Sequence, residues 1–338
     1  MMIADLIRYS WPVLTGVFLI VLLSLSIYFL FRRKYRASLI LLLGLIALNA
    51  YTSFCVFSFS CPAGEECGKL RMMSLNMHSS GCERPEDLVL SINEVEPDVL
   101  VLIEYDTLRC QKLKRELSEK YHYQEVQEGY DWECTNAVFS KYPILSYERM
   151  YLDTMQVSRN EITKIHELDP QFFVCTERVV MKNEISVNGR KLNLYSCHLM
   201  STGFDAVRDT VKTRSTLAKM GCYMDAYLKG AYLREAEAKM ISVDILKDRN
   251  SERQVIVCGD FNDFEGSVTL NRLTDGTGLR NAWSEKGCGL GFTYHGHGVM
   301  HFRLDHILYS PGIALKGIKV YDVELSDHDA LVADFALH

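Results

Sequence analysis

Two uncharged apolar runs open the chain, one over residues 9–31 and one from residue 37 to about residue 60. At a rise of about 1.5 Å per residue, each is long enough as a helix to cross a hydrocarbon core of about 30 Å. Between them lies Arg32-Arg33-Lys34-Tyr35-Arg36. Two apolar runs around a tight basic turn predict a transmembrane helical hairpin. A cleaved signal peptide is the weaker reading of the first run. That run is long, its basic cluster follows rather than precedes it, and a second span comes next. The positive-inside rule puts the basic turn in the cytoplasm, so the rest of the chain is expected on the non-cytoplasmic side.

Near residue 68 the pattern changes to short apolar runs alternating with charged, helix-like stretches. Strands are expected around residues 72–75, 99–103, 137–139, 179–181, 192–195, 255–258 and 307–308. Helices are expected over 85–95 and 205–247. Sheets in the middle and helices outside follow from that order. No linker divides the stretch, so the organisation read here is an anchor over 1–60, a linker over 61–68 and one domain over 69–338.

Charge and cysteine content refine this picture. Residues 1–60 hold five basic residues and one acid. The rest keeps 32 basic against 42 acidic residues, out of totals of 37 and 43. A domain gripping nucleic acid through many phosphates is usually basic, which argues against a broad nonspecific nuclease. Of the eleven cysteines, Cys175, Cys197 and Cys258 sit in apolar runs and read as small buried hydrophobes. There is no Cys-x-x-Cys pair for a zinc ribbon. Cys61 and Cys67 flank a Pro-Ala-Gly-Glu-Glu stretch, and whether they pair on an oxidising side of the membrane is left open by the sequence.

Polar groups recur at the ends of the apolar strands. Asn76 ends the run from Arg71, Glu104 the run from Val99, and His198 the run from Leu192. The stretch Val255 to Cys258 leads into Gly259-Asp260-Phe261-Asn262, where alternation places Asp260 and Asn262 on one side. Asp305 lies in an apolar strand and needs a partner, for which a histidine is suited. Asp327-His328 precedes the last strand, and histidine is the side chain best fitted to proton transfer or phosphate contact near neutral pH. Each signal alone is weak, but together they suggest one shared rim.

The ordered series through Asn76, Glu104, His198, Asp260-Phe-Asn262, Asp305-His and Asp327-His328 resembles the endonuclease/exonuclease/phosphatase superfamily. The segments Asn136-Ala-Val-Phe-Ser-Lys-Tyr-Pro143 and Gly291-Phe-Thr-Tyr294 fit the same pattern. The resemblance implies a four-layer α/β sandwich, two packed mainly antiparallel sheets with outer helices. It implies cleavage of a P–O bond with Mg2+ or Mn2+. Glu104 would be the main metal ligand, with Asn76 and Asp327 close to the ion. Asp260 would position or deprotonate the attacking water, helped by Asn262. His328, oriented by Asp305, would stabilise charge on the phosphoryl group, and His198 would contact the phosphate or leaving oxygen.

Stretches at 148–175 and 200–253 are long and match no subfamily of known substrate. His295, His297 and His301 cluster in Tyr-His-Gly-His-Gly-Val-Met-His. This reads as a Gly-rich loop at the site mouth rather than a zinc site, because no acid or cysteine completes a ligand set at usual spacing. The expectation is a metal-dependent phosphodiesterase or phosphatase on a lipid, nucleic-acid or small-molecule phosphate ester. A lipid headgroup ester fits the tether and the acidic domain; a nuclease is the main alternative and an inactive binding domain the remote one. No protein partner is expected.

Overall fold

The computed structural model describes residues 21–56, 58–59, 70–78, 80–127, 135–151, 179–202, 216–251, 253–295 and 301–337. Helix α1 (residues 21–31) and α2 (Tyr35–Val56) are joined at the basic turn, where Arg33 takes a left-handed φ of 55°. Ser26 Oγ donates to the Ser38 carbonyl at 3.1 Å and Ser38 Oγ donates back to the Ser26 carbonyl at 3.0 Å. These two serines are buried, while Leu23, Leu25, Leu30, Phe31, Leu39, Ile40 and Leu43 are exposed. Small polar residues inside and apolar ones outside invert the order of a helix pair in water. Among the described residues, no helix is long and apolar enough to cross a membrane. Side chains are described over 21–31 in α1 and 35–45 in α2, stretches of about 16 Å each. Residues 9–20 of the first expected span, and 57 and 60 of the second, lie outside the described residues.

The chain then makes β1 (Ser58–Phe59), β2 (Leu70–Asn76), the short α3 (Ser80–Glu83), α4 (Pro85–Val95) and β3 (Val99–Ile103). Helix α5 (Gln111–Ser118), β4 (Tyr123–Val126), β5 (Asn136–Ser140) and β6 (Ile144–Tyr151) follow. The second half holds β7 (Val179–Val187), β8 (Arg190–His198), the long α6 (Thr216–Asn250), β9 (Gln254–Asp260) and α7 (Val268–Thr274). It closes with β10 (Arg280–Asn281), α8 (Ala282–Lys286), β11 (Cys288–Gly289), β12 (Tyr294–His295) and β13 (His301–Phe302). The last strands are β14 (Asp305–Tyr309), β15 (Ile313–Tyr321) and β16 (Ala330–Leu337).

Two six-stranded mixed sheets form the centre, ordered β15-β16-β2-β3-β5-β4 and β10-β14-β9-β8-β7-β6. Within each, one neighbouring pair is parallel, β2 with β3 and β8 with β9, and the other pairs are antiparallel. Alternation along the strands builds the layers. Met72, Val99, Val101 and Ile103 of the first sheet pack with Leu192, Leu194, Ile256 and Ile307 of the second. The intervening Met73, Leu75, Leu100 and Leu102 face outward onto Leu88 and Ile92 of α4 and Leu113 and Leu117 of α5. Tyr195, Cys197, Val255 and Val257 meet Ile241 and Ile245 of α6. Helix, sheet, sheet and helix are therefore four layers, and each fully buried aliphatic side chain contributes about 1.5–3 kcal/mol.

Cys197 and Cys258 are buried free thiols, as their apolar settings imply. A disulfide joins Cys82 of α3 to Cys110, the residue before α5. Their separation of 28 residues carried no sequence signal. Cys61, Cys67 and Cys175 lie outside the described residues. Strands β4 and β6, made of exposed and half-buried positions, and β15, which mixes buried, half-buried and exposed ones, were not legible as apolar runs. Two residues beyond α2, β1 pairs with β11, with Ser58 opposite Gly289.

Candidate active site

Both parallel pairs deliver polar residues at their carboxyl ends. Asn76 closes β2, and Glu104 follows β3 in left-handed backbone with φ 58°. His198 and Asp260 close β8 and β9 directly opposite one another. Asp305 opens β14 across from Asp260, and His328 lies just ahead of β16. Gly259 has φ 132°, and a Cβ there would sit 2.0 Å from the Cys197 carbonyl oxygen. The glycine of Gly-Asp-Phe-Asn is thus required for β8 and β9 to approach at the site.

Asp260 Oδ2 lies at the centre. Asn76 Nδ2 donates to it at 3.1 Å and to Glu104 Oε1 at 3.0 Å. His328 Nε2 is 3.7 Å from Asp260 Oδ2, and His198 Nε2 is 3.8 Å from the same oxygen and 3.7 Å from Glu104 Oε1. On the far side of His328, Nδ1 meets Asp305 Oδ2 at 2.7 Å. Asp305 is the buried acid, and His328 is its histidine. Asp327 stands at the open edge, 38% exposed as a side chain, with Oδ1 itself buried and lacking a hydrogen-bond partner.

Burial pushes the His328 imidazole toward neutrality, but Asp305 and Asp260 outweigh it and raise its pKa to about 10. Burial also raises the Asp260 carboxyl above its ordinary value, opposed by His328 and reinforced by Asp305. For Glu104, burial pushes upward, yet His78, His198 and Asn76 prevail and hold it at about 2. The site thus contains an ionised glutamate and a histidinium at neutral pH.

Asn262 does not continue the strand alternation. It lies two residues beyond the end of β9, with φ 50°. Its backbone N–H donates to Asp260 Oδ1 at 2.8 Å and its Nδ2 to the Leu199 carbonyl at 3.0 Å. Its amide braces the Asp260 carboxylate, and its side chain pins the segment after His198. The local turn overrides period two once the ladder ends.

Three further residues complete the arrangement: His78, which the sequence did not single out, and Thr293 and Asn136, which lie in segments that fit the family pattern without an assigned role. His78 has left-handed φ of 43°, and its Nδ1 lies 3.5 Å from Glu104 Oε2 and 3.9 Å from Asp327 Oδ1. Thr293 Oγ1 accepts from the Leu304 and Asp305 backbone N–H groups at 3.2 and 3.1 Å. The buried Asn136 donates to the Ser196 carbonyl at 3.2 Å and leaves Oδ1 without a hydrogen-bond partner. A histidine two residues past a strand-end asparagine was the only sequence signal for the first. His295 and His301 stand at the mouth; His297 lies outside the described residues.

Asp260, Asp305 and His328 each place a ligand atom within 4.8 Å of the others, which is compact enough to share an ion. The Asp305–His328 hydrogen bond already occupies that trio. Glu104, Asp327 and the Asn76 carbonyl offer oxygens toward the open edge. Asn76 Oδ1 also accepts from His78 N–H at 3.0 Å. The orphaned Asp327 oxygen and the ionised Glu104 fit a hard cation that keeps part of its water.

The pattern of the Endonuclease/Exonuclease/phosphatase family matches residues 73–328. No curated relative matches the chain by sequence. Solved structures show the same fold at low identity. Truncated TDP2 of Caenorhabditis elegans is 18% identical at a TM-score of 0.56, over 79% of this chain and 96% of that one. The human Nocturnin catalytic domain with bound sulfate is 16% identical at 0.53, over 80% and 94%. D. rerio TDP2 complexed with a single-strand DNA product is 16% identical at 0.50, over 79% and 98%.

Proposed function

The chain belongs to the Endonuclease/Exonuclease/phosphatase family, and on that premise we propose that it is a membrane-anchored, divalent-metal-dependent hydrolase of phosphate esters. The observation that carries this is the convergence on Asp260 Oδ2 of Asn76, His198 and His328, with Glu104 beside them. Mg2+ or Mn2+, when bound, would supply positive charge against the phosphoryl group. Glu104, Asp327 and Asn76 would hold it. Asp260, its carboxylate braced by the Asn262 N–H, orients a water for in-line attack and draws off its proton. His328, held by Asp305, keeps its proton and presents Nε2–H to the oxygen on which charge builds. His198 contacts the phosphate or the leaving oxygen.

The substrate we favour is a lipid headgroup phosphoester. Supporting this are the helical hairpin with its apolar exterior and the acidic balance of the remaining chain. The β1–β11 pairing also joins the end of the hairpin to the segment carrying exposed Leu290 and Phe292 and leading to Tyr294. The basic turn and the Cys82–Cys110 disulfide both support a domain on the non-cytoplasmic side, where disulfides persist. Likeness to a TDP2 complexed with single-strand DNA favours a second reading, a nuclease.

The test is hydrolysis by the full chain in detergent, with Mg2+ and then chelator, and Asp260→Ala as control. The panel holds bis-p-nitrophenyl phosphate, p-nitrophenyl phosphate, sphingomyelin, inositol phosphates and plasmid DNA. Metal-dependent cleavage of sphingomyelin, lost in the variant, is expected. Preferential DNA cleavage transfers the assignment to the nuclease. Turnover indifferent to chelator sinks the metal chemistry.

A further inference from the structure

The hairpin of β12 and β13 sets His295 directly opposite His301 on one face. Their rings are 5.0 Å apart, and the two Nδ1 atoms approach to 2.9 Å. On the other side of His295, Nε2 is hydrogen-bonded to Asp329 Oδ2. Asp329 is buried and firmly held: its N–H donates to the Thr293 carbonyl at 2.7 Å and its Oδ1 accepts from Val323 N–H at 3.3 Å. A carboxylate accepts, so His295 donates Nε2–H to Asp329, and Nδ1 is the nitrogen that faces His301.

We propose that His295 and His301 form a separate site for a borderline-soft divalent cation of the Zn2+ class, with Asp329 as the positioning carboxylate. Ring nitrogens about 2.0–2.1 Å from zinc lie about 2.9 Å apart at a right angle and about 3.4 Å apart at the tetrahedral angle. The observed separation of 2.9 Å falls at the lower end of that span. Metal-bound histidines typically donate their other N–H to a carboxylate, which fixes tautomer and orientation. Asp329 already provides this from 34 residues away. To bind, the ion displaces any proton lying between the two Nδ1 atoms, which is released to solvent. His301 is exposed, so water can complete the coordination.

Imidazole pairs select Zn2+, Ni2+ or Cu2+ over Mg2+, which prefers oxygen. This site is therefore chemically distinct from the oxygen-rich edge at Glu104 and Asp327. It is nevertheless linked to it. His295 N–H donates to the Asp327 carbonyl at 2.8 Å, and Tyr294 forms a β-bridge with His328. An ion here ties the hairpin to the loop bearing Asp327 and His328.

The experiment is calorimetric titration of the full chain in detergent with Zn2+, under excess Mg2+, beside His301→Ala and Asp329→Asn. Melting curves without Zn2+ serve as the folding check. Asn at 329 keeps an acceptor for Val323 N–H. The expected result is one Zn2+ event in the wild type that vanishes in His301→Ala and weakens about tenfold or more in Asp329→Asn. Zn2+ should raise the melting temperature of the wild type and not of His301→Ala. Identical Zn2+ isotherms for wild type and His301→Ala would overturn the proposal, as would no Zn2+ uptake by the wild type.

Discussion

The two halves of the rim contain the same inventory, two carboxylates and a histidine, in opposite settings. In the inner half, Asp260, Asp305 and His328 have side chains 2%, 0% and 7% exposed, and His328 lies 2.7 and 3.7 Å from the two acids. In the outer half, Glu104, Asp327 and His78 are 12%, 38% and 54% exposed, and His78 lies 3.5 and 3.9 Å from its acids. Burial separates their chemistry. Inside, a fixed hydrogen bond and two nearby anions keep the histidine protonated to about pH 10. Outside, the glutamate is ionised down to about pH 2 and lies nearer to water. A hydrated cation suits the outer half, and charge stabilisation without solvent suits the inner one.

The largest effect should come from Asp260→Ala, a loss of about 10⁴-fold in kcat at unchanged melting temperature. His328→Ala should cost about 10²–10³-fold. If either variant keeps normal turnover, that residue leaves the inner half's chemistry. Glu104→Gln should instead raise the half-saturating Mg2+ concentration by about tenfold or more, with turnover partly recovered at high Mg2+. An equal loss at every Mg2+ concentration would erase the distinction between the halves.

A pH profile sharpens the same contrast. With its folded pKa raised, His328 should hold its proton through neutrality, so the alkaline fall in rate belongs near pH 10. A fall centred near 6.5 would mean a neutral His328. Buried His306 acts in the opposite direction: burial and Arg303 depress it to about 3. Its folded pKa lies below the unfolded value, so its contribution is present above pH 6.5 and lost as pH falls toward 3. Denaturant midpoints should decline across that window, and less so in His306→Gln. The smallest effect concerns the scaffold: Cys82→Ser should cost about 3 kcal/mol of stability by urea titration and leave the Mg2+ dependence intact.

Much of this was legible in the residues themselves. Apolar runs ending in Asn76, Glu104, His198 and Asp260 are strands whose last side chains emerge at one rim, because alternation and burial leave polar groups only at the ends. Helix α4 and strand β3 were readable with the same bounds, since each carries an unbroken apolar period. Edge strands β4 and β6 were not, because half-exposed positions blur alternation. Asn262 was misplaced, since alternation stops where the ladder stops.

Sequence alone determined the strand order of polar ends, the apolar hairpin and the oxygen-rich character of the rim, all properties of local pattern. Tertiary structure decided which acid serves which histidine. Asp305 reached His328, 23 positions away, because the two large sheets pack face to face; His78 joined Glu104, 26 positions away, because β2 and β3 lie side by side in one sheet; and Asp329 reached His295, 34 positions away, because β12 bridges to the segment ahead of β16. Spacing along the chain cannot report those distances; strand pairing and the packing of the sheets set them, and with them how deeply each pair is buried.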